Sequence, residues 1–489
     1  MIRNVWERTE DMSKRPNIIM ILTDDQGAWA MHCAGNKEIY TPNLDSLAEN
    51  GIRFHNFFCA SPVCSPARAS ILTGCIPSQH GVHDWIRSGN LRKLDLGEKK
   101  EDPYYQNEDV PIQYLEGFTT YTDILARNGY TCALAGKWHL GDSMTPQHGF
   151  TKWFTIGRGG CYYNKADIVE DGKLYFDHRY VTDLITDKAI DYIEELSEEE
   201  NPYYISVNYT APHSPWEEDQ HPKEFVDLYR DCPFNSTPDL PIHPNQIPTA
   251  PYGEGEMRKT LLRGYYAAIT AMDAGVGKIM EKLREKGELE NTLIIFTSDN
   301  GMNMGHHGIW GKGNGTFPLN LYDTAIKVPF IISHPKEIKK GVVEERLSSH
   351  YDIIHTLLEY LDIDEKLPDT LPGKSFRDSL DGKSTENHIV IFDEYGANRM
   401  IRNKEWKYIH RYPYGPNELY HLAEDPEEEN NLIHVSKYDS IREELYFHLQ
   451  EWYLKYVDPR VDGVKEDVTG YGQLRTSGIY SKGKQVYWK

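Results

Sequence analysis

The sequence predicts an α/β fold, with a doubly wound mixed sheet flanked by helices over residues 1–385 and a smaller α+β subdomain containing an antiparallel sheet over residues 386–489. Three observations predict it. Short, continuously apolar runs rich in β-branched residues recur at Asn17 to Thr23 (NIIMILT), Tyr130 to Ala135 (YTCALA), Tyr203 to Asn208 (YYISVN) and Thr292 to Thr297 (TLIIFT). That is the pattern of strands buried on both faces. Segments with helical apolar spacing lie between them, notably Val181 to Leu196 and Arg258 to Lys286, so strands and helices alternate. Beyond Lys383 the texture changes to short strand-like pieces, His388 to Phe392, Arg399 to Ile401, Trp406 to His410 and Glu418 to Leu422, followed by a helical pattern from Tyr438 to Val457.

A chain of 489 residues is long enough for one large and one smaller unit around a sizeable core. The net charge of -22 excludes nucleic acid and anionic membrane as partners, since both select basic surfaces. A pocket for an anion must therefore supply its own cations. The seven cysteines (33, 59, 64, 75, 132, 161 and 232) are odd in number and lack CxxC spacing, which fits reduced thiols better than a disulfide framework. Met1 to Pro16 is charged and has no apolar core, and no apolar run approaches membrane-spanning length. The expectation is a soluble cytoplasmic protein, with its oligomeric state open.

Taken in order, each predicted strand ends in residues with chemistry. Asn17 to Thr23 runs into Asp24-Asp25, which reads as a hard-cation site or as an ordinary strand-to-turn junction. Thr41 to Phe54 reads as a proline-started helix, a glycine stop and a strand. Cys64-Ser65-Pro66-Ala67-Arg68, continuing to Gly74, predicts a helix with Pro66 at its first position and Gly74 as its stop. Cys64 then sits at a helix N-terminus that favours an anion, with Arg68 one turn on along the same face. It also reads as a plain core thiol. After Tyr130 to Ala135, an extended chain would turn Lys137 and His139 to one side and Trp138 to the other. Lys137 and His139 suit anion binding and proton transfer, or a solvated loop. His213 follows Tyr203 to Asn208 and is held stiff between two prolines. Thr292 to Thr297 ends in Ser298-Asp299-Asn300, and the glycine-rich loop from Gly305 to Asn314 carries His306, His307 and Lys312 without the Walker order of residues. Asn235 to Glu256 reads as a surface excursion, and the tail from Asp458 to Lys489 shows no period. In a doubly wound sheet the four strand ends share one edge, so these residues converge with the Cys64–Arg68 helix on a single anionic-ester site.

Cys64-x-Pro66-x-Arg68 followed by Leu72-Thr73-Gly74 resembles the signature of the type I sulfatases of the alkaline phosphatase superfamily, and similar segments recur from about Pro16 to Leu432. The resemblance implies an alkaline-phosphatase-like sheet and a sulfuric ester hydrolase. It implies that a formylglycine-generating maturation enzyme oxidises Cys64 to formylglycine (3-oxoalanine), whose hydrated form is the nucleophile. Asp24, Asp25, Asp299 and Asn300, with residue 64, would hold a divalent cation, Ca2+ in most relatives with Mg2+ possible, as all-oxygen ligation suits. Asp299 or the metal would lower the nucleophile's proton affinity. His213 or Lys312 would protonate the leaving alcohol, and His139 would take the proton that releases sulfate. Arg68, Lys137 and Lys312 would neutralise the sulfonyl oxygens. Ala67 stands where serine is commoner in the family. His306 and His307 stand where relatives vary, so they are expected to read the substrate. Trp85, Trp216, Trp310, Tyr162 and Tyr163 supply rings for a sugar, which makes a sulfated carbohydrate cleaved at a chain end the preferred substrate. An aryl or steroid sulfate, or a phosphonate or phosphodiester, is the alternative.

Overall fold

A computed structural model describes residues 15–383 and 391–489. The expected boundary at 385/386 and the start of the His388 to Phe392 piece lie outside the described residues. The architecture is the expected α/β one, built on a ten-stranded mixed sheet. Its strands are β1 (Asn17–Thr23), β2 (Ile52–Phe54), β3 (Thr131–Lys137), β4 (Phe150–Ile156), β5 (Ala166–Glu170), β6 (Lys173–Asp177), β7 (Tyr203–Asn208), β8 (Thr292–Ser298), β9 (Phe330–Ser333) and β10 (Val342–Glu344). They lie in the order β10-β2-β9-β8-β1-β7-β3-β4-β5-β6. The contiguous strands β8, β1, β7, β3 and β4 run parallel. All four continuously apolar runs are in this block, so their C-terminal ends share an edge. The hairpin strands β5 and β6 extend the sheet antiparallel at one side; their half-polar sequences carry no buried-strand signal.

Helices cover both faces, and strand β1 shows why its sequence is continuously apolar. Ile18, Met20 and Leu22 face a core that includes Ile71 and Leu72 of α2 (Cys64–Thr73), Ile124 and Leu125 of α3 (Tyr121–Arg127) and Ile353 and Leu357 of α6 (Ile353–Tyr360). Ile19 and Ile21 face the opposite core, with Leu44 and Leu47 of α1 (Pro42–Glu49), Ile185 and Ile193 of α4 (Val181–Leu196), and Tyr265 and Ile269 of α5 (Gly255–Glu285). Each fully buried aliphatic side chain contributes about 1.5–3 kcal/mol. Helix α2 begins at Cys64 itself, two residues before Pro66. Pro66 is tolerated there because the N–H groups of the first turn have no intrahelical partner. Gly74 closes the helix in the left-handed conformation at φ 71, as its position predicts.

Strands β11 (Ile391–Tyr395), β12 (Asn398–Arg402), β13 (Trp406–Arg411) and β14 (Glu418–His421) form an antiparallel meander. Period-two alternation divides its side chains. Ile391, Tyr395, Met400, Ile409 and Tyr420 enter the core of the large sheet. Phe392, Ile401, Tyr408 and Leu419 pack on Leu445, Leu449 and Tyr453 of α7 (Asp439–Tyr456). The tail, which has no periodicity, is fastened by hydrogen bonds to the segment after α2. Asp84 Oδ2 accepts from the Gly470 and Gly472 amides at 3.0 and 3.1 Å. Gln473 Oε1 accepts from the His83 amide at 2.8 Å, while Gln473 Nε2 donates to the Gly81 carbonyl at 3.0 Å. None of the seven cysteines is in a disulfide. Among the described residues no helix is long and apolar enough to cross a membrane.

His83 joins this fastening, since its Nε2 lies 2.8 Å from the Val461 carbonyl, while Nδ1 is buried without a partner. Burial pushes the imidazole down to about 4, against the opposing pull of the Val461 carbonyl and Asp462, while Arg399 adds to the depression. The unfolded chain binds this proton below about pH 6.5. The folded chain resists it until about pH 4, so His83 contributes stability at neutral pH that is lost on acidification through that window, at about 1.4 kcal/mol per pH unit. The melting temperature is therefore expected to fall between pH 6.5 and 4.5, and more shallowly in His83→Gln; thermal denaturation across that range checks it.

Candidate active site

The parallel strand ends build the site. Asp24 and Asp25 follow β1, Asp299 and Asn300 follow β8, Lys137 closes β3, and His213 lies in the loop after β7. Asp25 adopts a left-handed backbone (φ 65), which a short polar side chain tolerates, and its carbonyl accepts from Tyr265 Oη at 2.8 Å. Gly136 has φ 113, and a Cβ there would lie 2.0 Å from the Asn208 carbonyl oxygen, so the close approach of β3 to β7 needs glycine.

Three carboxylates and three cations interlock, all buried. Lys137 Nζ pairs with Asp24, Lys312 Nζ lies 2.5 Å from Asp25 Oδ1, and Arg68 Nε donates to Asp299 Oδ2 at 2.9 Å. Burial alone would raise the Asp24 and Asp25 carboxyls, but the charges of Lys137 and Lys312 hold them below the usual range. Asp299 is raised, because burial and the neighbouring Asp24 outweigh Arg68 and the lysines. Lys312 is held well above its usual range by Asp25 in spite of burial.

Cys64 starts α2 in the middle of this cluster. Its Sγ lies 3.3 Å from Asp24 Oδ1 and 2.7 Å from Lys312 Nζ. Burial and the charge of Asp24 push the thiol far above its usual range. Burial and Asp24 thus act against the helix N-terminus, which by itself would favour a thiolate.

Asp24, Asp25 and Asp299 offer oxygens within 4.8 Å of one another. Asn300 Nδ2 donates to Asp25 Oδ1 at 2.8 Å, while its Oδ1 is buried with no partner. An orphaned amide oxygen beside three carboxylates is a donor set for a hard divalent cation such as Ca2+ or Mg2+. Such an ion, added to three carboxylates already balanced by three cations, leaves a positive surplus for an entering anion.

The two histidines differ. His139 Nε2 lies 2.9 Å from the Ile86 carbonyl, which can only accept, so Nε2 carries the hydrogen and Nδ1, buried and unpartnered, carries the lone pair. Burial and the charge of Lys137 hold this imidazole neutral, well below its usual range. His213 Nδ1 is held 2.7 Å from the Ser214 carbonyl and its Nε2 faces Asp25 Oδ2 at 3.8 Å. Cys64, His139, His213 and Lys312 all open onto one cavity of about 510 Å³.

Residues 16–363 match the sulfatase family model, and residues 305–455 match that of the C-terminal region of N-sulphoglucosamine sulphohydrolase. The chain belongs to the sulfatase family. It is thus a sulfuric ester hydrolase. This sulfatase is 28% identical to the N-acetylglucosamine-6-O-sulfatase of Bacteroides thetaiotaomicron, over 95% of this chain and 91% of that protein. It is 27% identical to the arylsulfatase of Clostridium perfringens, over 92% and 96% of the two chains. A solved structure of an enzyme in complex with its substrate D-glucosamine-2-N,6-O-disulfate superposes with a TM-score of 0.74 at 25% identity, covering 93% of this chain and 100% of that one. The phosphonate monoester hydrolase of Agrobacterium radiobacter shares the fold, with a TM-score of 0.65 at 22% identity over 91% of this chain and 96% of that one.

The structure brings Cys64, Arg68, Lys137, His139, His213, Lys312, Asp24, Asp25, Asp299 and Asn300 of the sulfatase into one cluster. Trp138 turns away to pack on Trp153, and the chain leaves the extended conformation at His139 (φ 56). Trp85 and Tyr162 line the cavity. His306, His307 and Trp310 do not, which corrects their assignment to substrate reading. Their loop folds back through a short ladder between Asn303–Met304 and Trp310–Gly311 and lies under the 238–243 segment. His306 is packed against Trp29, His307 stacks on Tyr322 at 3.8 Å, and Trp310 is in the core. Only Lys312 and Asn314 emerge from this loop at the cavity. Trp216 and Tyr163 are core residues as well. Arg87, Tyr104, Arg158 and Asp167, which line the cavity, were not singled out by the sequence. No motif marks them, because each reaches the site by long-range packing.

The donor set makes a prediction that does not depend on turnover. Ca2+ at a hundred times its dissociation constant is expected to stabilise the protein by about 2.7 kcal/mol. Asp299→Asn and Asn300→Ala are expected to lose most of that gain, read as the Ca2+-dependent shift in melting temperature.

Proposed function

We propose that this sulfatase cleaves the sulfate monoester of a carbohydrate, with Cys64 in its formylglycine form and a calcium ion held by Asp24, Asp25, Asp299 and Asn300. The observation that carries the reading is the placement of residue 64 at the meeting point of Lys137, Lys312, Arg68 and His139, on the wall of a cavity large enough for a sugar. Formylglycine and the cation, when present, supply a hydrated aldehyde hydroxyl as nucleophile and a counter-charge for the sulfate oxygens.

The remaining work falls to the chain's own residues. Lys137, Lys312 and Arg68 are fixed by buried carboxylates, so their charges need no reorganisation as negative charge moves onto the sulfonyl oxygens. Neutral His139, with Nε2–H tied to the Ile86 carbonyl, presents the Nδ1 lone pair as the base that accepts a proton when sulfate is released. His213, about a quarter exposed at the cavity, is placed to give the leaving alcohol its proton; Lys312 is the other candidate. The reaction consumes one water and yields the alcohol and sulfate. Trp85, Tyr104 and Tyr162 on the cavity wall offer rings for a sugar face. Support for a carbohydrate also comes from relatives named N-acetylglucosamine-6-O-sulfatase and ulvan-active sulfatase, the latter from Formosa agariphila and 28% identical over 89% of this chain and 80% of that protein.

The test is sulfate release from N-acetylglucosamine 6-O-sulfate, beside 4-nitrophenyl sulfate and a matched phosphonate ester, by protein co-expressed with a formylglycine-generating enzyme. Faster turnover of the sugar sulfate, abolished in Cys64→Ala and lowered about 10²–10⁴-fold in kcat in His139→Ala, is the expected result. Activity surviving Cys64→Ala would end the proposal, and faster phosphonate cleavage would move the enzyme to that branch of the fold.

A further inference from the structure

Two arginines, Arg158 and Arg87, stand on the cavity wall beyond the catalytic cluster, and their surroundings differ. Arg158 is saturated. Its Nε donates to Glu108 Oε1 at 2.9 Å, its Nη2 to the Arg87 carbonyl at 3.2 Å, and its Nη1 to the Tyr104 carbonyl. Glu108 in turn accepts from the amides of Gly89, Asn90 and Leu91. This set is scaffold, holding the loop in place.

Arg87 is different. It has no carboxylate within ion-pair distance among the described residues. Its Nη1 donates to the Tyr471 carbonyl at 3.1 Å, and its Nε is buried with no partner among the described residues. The guanidinium rests against the rings of Trp488 at 4.4 Å and Trp85 at 5.4 Å. Burial and the nearby Arg158 both act against its protonated form, with no acid to offset them. The acids on the same wall are occupied: Asp102 accepts from the Tyr104 amide at 3.0 Å, and Asp167 is buried beside Arg158 and Tyr105. A half-buried guanidinium that no carboxylate neutralises keeps its charge and N–H donors available to an anionic ligand.

Its position relative to the reacting centre is fixed by its neighbour. The Ile86 amide donates to Ser65 Oγ at 2.9 Å, next to the nucleophile position, and the Ile86 carbonyl holds His139. Arg87 is thus one residue from a segment pinned to both, and shares its cavity with Cys64. The tail secures it from the other side, through the Arg87 amide to the Gln473 carbonyl at 2.8 Å and the Trp488 amide to the Gly472 carbonyl at 2.9 Å.

We propose that Arg87, clamped between Trp85 and the tail residue Trp488, binds a second anionic group of the substrate, so that the sugar cleaved carries a further sulfate or carboxylate besides the scissile sulfate ester. This rests on the carbohydrate sulfatase reading above. Arg87 is a specificity residue, and the tail is the element that holds it in place.

Two matched pairs of substrates test it. Glucosamine 2-N,6-O-disulfate against N-acetylglucosamine 6-O-sulfate asks for a second sulfate, and glucuronate 2-O-sulfate against glucose 2-O-sulfate asks for a carboxylate. The matured enzyme is expected to prefer the doubly anionic member of one pair by about tenfold or more in kcat/KM, as a charge-assisted hydrogen bond permits. Arg87→Gln and Trp488→Ala are expected to bring that preference close to unity, chiefly through KM, while Arg87→Lys keeps part of it. No preference in either pair, or a preference unchanged in Arg87→Gln, overturns the proposal. The same pairs titrated calorimetrically against Cys64→Ala and Cys64→Ala/Arg87→Gln separate the two readings. Turnover without preference ends the subsite and keeps the sulfatase reading. A binding preference lost with Arg87, in an enzyme that turns over no sugar, keeps the subsite and ends that reading.

Discussion

The structure depends on the balance of three buried carboxylates against three buried cations at the ends of parallel strands. Asp24, Asp25 and Asp299 are at most 4% exposed, and so much negative charge in a low-dielectric interior is tolerable only when paired. Lys137, Lys312 and Arg68 arrive from three different parts of the chain to pair it. Removing any one member leaves an uncompensated buried charge, so this constraint ties β1, β3, β8, α2 and the 305–315 loop into one unit. The same balance makes the site functional. The cations are held by the protein's own carboxylates and need not be collected by the substrate, so a chain with a net charge of -22 keeps three buried cations at its site, with a positive surplus once a divalent cation joins them.

The state of residue 64 follows from that environment. Burial and the nearby Asp24 raise the pKa of a thiol there, and soft sulfur suits a hard cation poorly. The helix N-terminus, which ordinarily lowers a cysteine's pKa, is outweighed here by burial and a neighbouring carboxylate.

The polypeptide furthest from Cys64 in sequence contributes to the cavity beside it. The meander β11–β14 has one face in the main core, and the 458–489 tail is bonded to the 81–87 segment that carries Trp85, Ile86 and Arg87. Ile86 also sets the tautomer of His139. His139, cavity wall and tail are mechanically one assembly, with Asp84 as the anchor that joins them.

The sequence by itself determined the parallel block, the helix that Gly74 closes and the polar residues at the strand ends. Each of these is local: a continuously apolar run means two covered faces, and whatever follows it stands at the sheet edge. Hence Asp24, Lys137, His213 and Asp299 were legible, and the resemblance of Cys64–Gly74 to the sulfatase signature tied them together. Only the tertiary structure decided the rest. It withdrew His306, His307 and Trp310 from the cavity, because a loop's composition does not fix which way it folds back. It placed Pro66 inside the first turn of α2, where several positions lack an N–H partner and a proline fits any of them. It gave the aperiodic tail a place, since a segment held by another segment's hydrogen bonds needs no pattern of its own. And it separated Arg158 from Arg87: the sequence shows two arginines, and only the fold shows that, among the described residues, one is supplied with a carboxylate and the other is not.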